Sequence, residues 1–150
     1  MKELDNSEIK LARVAHKSAD YWKCVELRDR LLRKPLGLEF SAEELEEENN
    51  QWHLCLFLND EIVACLCLVP LKSGEIKMRQ VAVDHDFQSF GLGTRLVKYS
   101  ENVAIDSGFK LMSLHARENA LAFYNKMNYL EVGNRFLEVG IEHFRMEKEL

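Results

Sequence analysis

The chain predicts a mixed α/β (α+β) fold, with one sheet of about seven strands flanked by about four helices. Three observations predict it. Segments with strand-like and helix-like apolar spacing follow one another in the order β-α-α-β-β-β-α-β-α-β-β, which suits a mixed sheet with helices on both faces. Two long apolar runs are separated by Asn59-Asp60, residues that tolerate the positive φ of a hairpin turn. A β-branched run, Val81-Ala82-Val83, leads through a polar link to two glycines, after which the spacing turns helical.

Taken in order, Ile9 to Val14 alternates enough to open as a strand. Ser18 and Asp20 can cap a helix whose apolar residues recur from Tyr21 to Leu32, and Pro35 and Gly37 end it. Ser41 to Asn50 is rich in glutamate, with Ser41 and Glu44 in capping-box register, and reads as a short solvated helix. The hairpin spans Trp52–Leu58 and Ile62–Leu71. Ser73-Gly74 turns the chain into a strand from Glu75 to Val83. Leu92, Leu96, Val97, Val103 and Ala104 mark one face of a helix running to about Asp106, with Gly108 placed to close it. A strand over Lys110–Leu114, a helix over Ala120–Met127, and strands over Tyr129–Val132 and Ile141–Glu147 complete the chain.

Composition bounds the function. At 150 residues, 47% of them apolar and 30% charged, the chain has the make-up of one globular domain, residues 1–150. A net charge of −5 argues against nucleic-acid binding and mildly favours an amine substrate. Met1 to Ile9 has four charges and no apolar run, unlike a secretory leader, and no stretch approaches a membrane span. Cys24, Cys55, Cys65 and Cys67 form no C-x-x-C pair and read as core residues of a reduced, cytoplasmic protein. The five histidines are scattered, so no metal site is expected. Oligomeric state is left open, a homodimer included.

The glycine loop carries the chemistry. Orphan N–H groups at a helix start, with the helix dipole behind them, hold phosphate, and glycine lets the backbone approach the anion. A P-loop is excluded because Thr94-Arg95 follows the second glycine; a dinucleotide fingerprint is excluded because position 96 is Leu. What remains, Gln88-x-x-Gly91-x-Gly93-Thr94 after a Val-Ala-Val strand, resembles the Q/R-x-x-G-x-G/A pyrophosphate signature of the GCN5-related N-acetyltransferases (GNAT), which use acetyl-CoA. Ala120 to Tyr129 is similar to the family's A-x-x-x-Y-x-K-x-G-F/Y segment, with Asn128 where glycine is usual. Leu32 to Gly37 and Gly140 to Phe144 look like segments of a bacterial subgroup of small acetyltransferases with poorly defined substrates. The resemblance covers about residues 9–148.

It implies an acetyl-CoA-dependent N-acetyltransferase, an acyltransferase of groups other than aminoacyl groups, acting on a small-molecule or peptide amine by direct attack in a ternary complex. The main chain of Gln88, Ser89, Phe90, Gly91, Leu92, Gly93 and Thr94 would hold the pyrophosphate. Val81, Ala82 and Val83 correspond to a strand that splays from its neighbour and offers backbone groups to the pantetheine arm and the acetyl oxygen. Asn119 and Phe123 are expected beside the cofactor: Arg117 stands where the family often has a cofactor-contacting asparagine, and either Asn119 replaces it or Arg117 itself holds the cofactor or an acidic substrate. Tyr124 is the expected general acid, a phenol that stays protonated at neutral pH. The base is open among His115, Glu75 and none. Lys77 occupies the place of the glutamate of histone-type members, and a protonated lysine cannot accept the amine proton. His115, expected at the end of its strand and with a suitable pKa, is preferred. The competing reading is a catalytically weak acyl-CoA sensor or interaction module with the same fold, which Lys77 favours. The acceptor itself is unspecified; the segments around residues 33–40 and 133–142 are expected to form its pocket.

Overall fold

Local chemistry dictates most of the elements. In the computed structural model, which describes residues 8–150, Asn59 (φ 51°) and Asp60 (φ 65°) both adopt the left-handed conformation and join β2 (Trp52–Leu58) to β3 (Glu61–Pro70). The charged N-terminal segment considered above, Met1 to Ile9, lies almost wholly outside the described residues. β1 (Ile9–Val14) pairs antiparallel with β2, and β3 pairs antiparallel with β4 (Glu75–Val83). β4 then pairs in parallel with β5 (Leu111–Arg117), and β5 is bordered by β8 (Ile141–Glu149). Two short strands, β6 (Leu130–Glu131) and β7 (Phe136–Glu138), also pair with β8.

Helices cover both faces. α1 (Ala19–Arg28), N-capped by Ser18, lays Cys24 and Leu27 on Cys55, Cys65 and Ala82. α3 (Leu92–Asp106) and α4 (Leu121–Lys126) cover the opposite face, where Leu54, Leu56, Leu66, Leu68, Ile76, Met78, Leu96 and Met112 form the main core. α2 (Ala42–Glu47) opens with the Ser41/Glu44 capping box. All four cysteines are free and buried.

The differences from the sequence expectation are instructive. The first helix stops being α-helical at Arg28 and continues as a π turn over Asp29–Arg33. The strand expected to end at Leu114 continues to Arg117, because β8 supplies ladder partners through His143. The expected strand over Tyr129–Val132 shortens to Leu130–Glu131, and β7, three residues long, was not anticipated. The glutamate-rich segment is not solvated throughout: Glu48 is only 3% exposed.

Glu48 belongs to a buried polar network that shapes β4. Arg28, 1% exposed, donates from Nη1 to Glu48 Oε1 (3.0 Å) and from Nη2 to Oε2 (2.5 Å). The Tyr21 hydroxyl donates to Glu48 Oε1 (2.8 Å). Burial alone would raise the Glu48 pKa, but the guanidinium overrules it and holds the carboxyl below its ordinary value. The pair then grips one backbone-strained residue: Arg28 Nε donates to Gln80 Oε1 (3.1 Å), and Gln80 Nε2 donates to Glu48 Oε2 (3.4 Å). Gln80 has φ 55°, uncommon for a non-glycine residue. Cys65 faces Ala82 and Cys67 faces Arg79, so Gln80 and Val81 together oppose Leu66 in a β-bulge. The bulge bends β4 away from β5 just beyond their last paired residues, Met78 and Leu114.

Candidate functional site

The divergence of β4 and β5 opens a cleft with a cavity of about 920 Å³, large for a small-molecule site. At its far end sits the glycine loop. Asp84 caps a single 3₁₀ turn over His85–Phe87 by accepting from Asp86 N (3.0 Å). Ser89 (φ 73°) and Gly91 (φ 77°) then turn the chain into α3. The first intrahelical bond is Arg95 N to Gly91 O (3.1 Å), so the N–H groups of Leu92, Gly93 and Thr94 have no acceptor among the described residues. A Cβ on Gly91 would meet nothing within 4 Å, whereas one on Gly93 would lie 3.5 Å from Val83 Cγ2 and 3.5 Å from Phe123 Cζ. Gly91 is favoured by its backbone angle, whereas at Gly93 a Cβ would make ordinary van der Waals contact and only a larger side chain would crowd the wall. This open cradle of N–H groups at a 15-residue helix fits a phosphate group.

Most residues expected from the sequence line this cavity: Val81, Val83, Gln88, Ser89, Gly91, Leu92, Gly93, Thr94, Asn119, Phe123, Tyr124 and His115. Two do not. Ala82 points into the core beneath α1, and Phe90 packs on the main core. The exposed Gln88 side chain folds back on its own loop, donating from Nε2 to Val83 O (3.1 Å) and lying 3.1 Å from His85 Nδ1, so it shapes the loop. The two segments expected to form the acceptor pocket contribute Arg33, Leu36, Leu38, Glu138 and Val139.

Tyr124 is 7% exposed, its ring edge-on to Phe123 and Tyr129, and its hydroxyl makes no hydrogen bond among the described residues. Burial holds this phenol well above its ordinary pKa, so it stays protonated at any neutral pH. Asn128, where glycine was expected, takes φ 73° and closes α4 in the left-handed conformation.

On the opposite wall, His115 lies within β5 rather than at its end, with Nδ1 3.2 Å from Glu138 Oε1. Desolvation lowers its pKa below the ordinary 6.5, and Lys77 and Arg145 push the same way, against Glu138. The imidazole is therefore neutral near pH 7. Its Nδ1–H donates to the carboxylate and Nε2 keeps a lone pair. Burial would raise the Glu138 pKa, but the bond to His115 brings it below the ordinary carboxylate value. His143 Nδ1 donates to Ile141 O (2.8 Å), with Nε2 3.6 Å from Glu138 Oε2. Sequence reasoning missed Glu138. Its signal was the turn Val139 (φ 47°)–Gly140 (φ 75°), which folds β7 back along β8 and sets Glu138 opposite Ile141.

Glu75, the other candidate base, is committed elsewhere. Burial would raise its pKa, but Oε2 accepts from Ser113 Oγ (2.8 Å) and Arg145 Nη2 (3.1 Å), which together bring it below the ordinary carboxylate value. Among the described residues, Glu48, His53 and Cys67 alone come close enough to share a metal ion. All three are already engaged: Glu48 by Arg28, His53 Nε2 by Glu48 O (3.0 Å), and Cys67 Sγ by His53 Nδ1 (3.5 Å). No helix of the described residues is long and apolar enough to cross a membrane.

Comparison with known proteins gives the same picture. The model of the acetyltransferase (GNAT) family matches residues 17–129. YjcF of Bacillus subtilis, an uncharacterised N-acetyltransferase, is 30% identical over 111 residues, 73% of this chain and 79% of its own. A Lactobacillus plantarum protein provisionally named an N-acetyltransferase superimposes with a TM-score of 0.85 at 21% identity, over 95% of this chain and 98% of that one. A GNAT acetyltransferase from Elizabethkingia anophelis, solved with acetyl-CoA bound, gives 0.75 at 18% identity, over 97% and 100%. With the splayed strands, the glycine cradle and the buried tyrosine in one cleft, and the family model matching most of its length, the chain belongs to the acetyltransferase (GNAT) family, whose acetyl donor is acetyl-CoA.

Proposed function

We propose that residues 1–150 act as one N-acetyltransferase domain, moving an acetyl group from acetyl-CoA to a primary amine by direct attack in a ternary complex. The observation that carries this reading is that a single cleft has the α3 N-terminus at one end, the Tyr124 hydroxyl on one wall and the His115–Glu138 pair on the other. Acetyl-CoA, when bound, supplies the activated acetyl thioester. The free N–H groups of Leu92, Gly93 and Thr94 hold its pyrophosphate, assisted by the helix dipole. Among the described residues no strand pairs with β4 on the cleft side beyond Met78, so the main chain of Val81 and Val83 is open to the arm, while that of Ala82 between them faces Cys65 on β3. One such N–H would stabilise charge growing on the acetyl oxygen. Phe123 and Asn119 flank the same path. His115 accepts the amine proton at Nε2 while Glu138 fixes its tautomer at Nδ1. Tyr124 gives its proton to the departing sulfur.

The pH profile tests the base. A base works deprotonated, so kcat/KM should rise with pH through the His115 pKa, and because that pKa is depressed the limb should fall below 6.5. His115→Gln should abolish the limb and lower the neutral rate by roughly 10²-fold. Glu138→Gln removes an interaction that raises the His115 pKa, so the limb should move to still lower pH while the rate drops. Glu75→Gln should leave the limb in place. A limb that tracks the acceptor's own pKa and ignores His115→Gln would show that no enzyme base operates.

A further inference from the structure

The cleft wall is cationic, although the chain carries a net charge of −5. Arg33, Lys77, Arg79 and Arg117 line the cavity, against one carboxylate, Glu138, which is engaged by His115. Arg33 is paired with Glu44 at 3.2 Å. Lys77, Arg79 and Arg117 make no side-chain hydrogen bond or ion pair among the described residues. Arg79 is exposed, but Lys77 is half-buried, where an ammonium without a contacting carboxylate is poorly solvated. Burial and the neighbouring Arg79 both disfavour its charged form. Elsewhere on this face cations are matched: Arg145, beside His115 in the β5/β8 register, has both Glu75 and Glu147 at 3.1 and 3.0 Å.

The cofactor's phosphates do not account for Lys77 and Arg79 on β4. Their cradle is main chain at residues 92–94, beyond the end of β4. Lys77 lies six residues before Val83, roughly 20 Å back along an extended strand. Lys77 instead faces the acceptor half of the cleft, where its field reaches both His115 and Glu138. Alternation along β4 puts Lys77 and Arg79 on that same face, and Arg117 stands across the opening on β5.

We propose that the acceptor is an amine that also carries a carboxylate, seated on Lys77 and Arg79 with Arg117 facing them, so that its amine end is held toward His115. The proposal rests on the acetyltransferase reading above. An ammonium and a guanidinium, the latter able to grip a carboxylate with two parallel bonds, suit such a group. They also disfavour an acceptor with a second cation, such as a polyamine.

Product binding tests the seat without turnover. N-acetyl derivatives of α-, γ- and ω-amino acids, and the matching carboxamides, are titrated calorimetrically into the protein saturated with CoA. At least one carboxylate should bind roughly 10- to 100-fold more tightly than its amide, the ratio expected for charge-assisted bonds. Lys77→Met and Arg79→Gln should each reduce that ratio, while the rise in Tm given by CoA stays intact. Amides that bind as well as carboxylates, or a ratio indifferent to both substitutions, would overturn the anion seat, as would no binding of any carboxylate. Acetyl-CoA-dependent acetylation of uncharged amines, followed in parallel by mass spectrometry, would then still uphold the transferase. Absence of acetylation with every amine, beside selective carboxylate binding, would uphold the seat and reject the transfer.

Discussion

Tyr124→Phe should lower kcat by roughly 10²- to 10⁴-fold while leaving the KM for acetyl-CoA and the melting temperature nearly unchanged. The substitution removes one oxygen from a side chain whose ring is packed against Phe123 and Tyr129 and whose hydroxyl bonds to no described residue. Packing therefore survives, and no partner is left unsatisfied. What is lost is a phenol kept protonated by burial and placed on the cleft wall. Steady-state kinetics with a good amine acceptor, alongside a thermal melt, checks this. Full activity in the variant would return Tyr124 to a packing role.

The second large effect lies outside the cleft. Glu48→Ala leaves the Arg28 guanidinium buried with its main partner gone, a change that typically costs about 3–5 kcal/mol. For a chain of this size that is a fall in Tm of roughly 6–20 °C. The Tyr21 hydroxyl loses an acceptor, and the Gln80 amide is released as well. Gln80 holds the bulge that separates β4 from β5, so the KM for acetyl-CoA should rise in Glu48→Ala even at temperatures where the variant is folded. Arg28→Met combined with Glu48→Leu removes both charges and should recover much of the stability without recovering the KM. Recovery of both would mean the network only stabilises.

These two sites differ in how far the sequence disclosed them. The glycine loop, the hairpin and the Tyr124 helix were legible because each is local: a turn residue, a spacing or a motif fixes it within about ten residues. The splay between β4 and β5 was expected from family resemblance, but its cause was not visible. Arg28, Glu48 and Gln80 come from three separate elements, 20 and 32 residues apart, and meet only when α1 packs on the sheet. Glu48 read as one more solvated glutamate in an acidic run. The His115–Glu138 pair joins residues 23 apart through the β5–β8–β7 register, and β7 is too short for alternation to reveal. Lys77 was read as an obstacle to base catalysis. Its surroundings show a half-buried cation in the cleft, with His115 on the neighbouring strand.

The central claim is that the cleft between β4 and β5 is an acyl-CoA seat whose phosphate end is the main chain of residues 92–94. Thermal melting with increasing CoA, for the wild type and for Gly93→Leu, tests it most directly. Gly93 already has Val83 and Phe123 at contact distance from any Cβ, so a leucine there must crowd the wall of the cleft, while Gly93 itself has ordinary helical angles. The wild type should be stabilised by about 2.7 kcal/mol at a hundredfold excess of CoA over its Kd. Gly93→Leu should fold and melt without responding at the same concentration. A wild-type melting temperature that does not move at millimolar CoA, or a Gly93→Leu protein that responds as strongly as the wild type, would contradict the account.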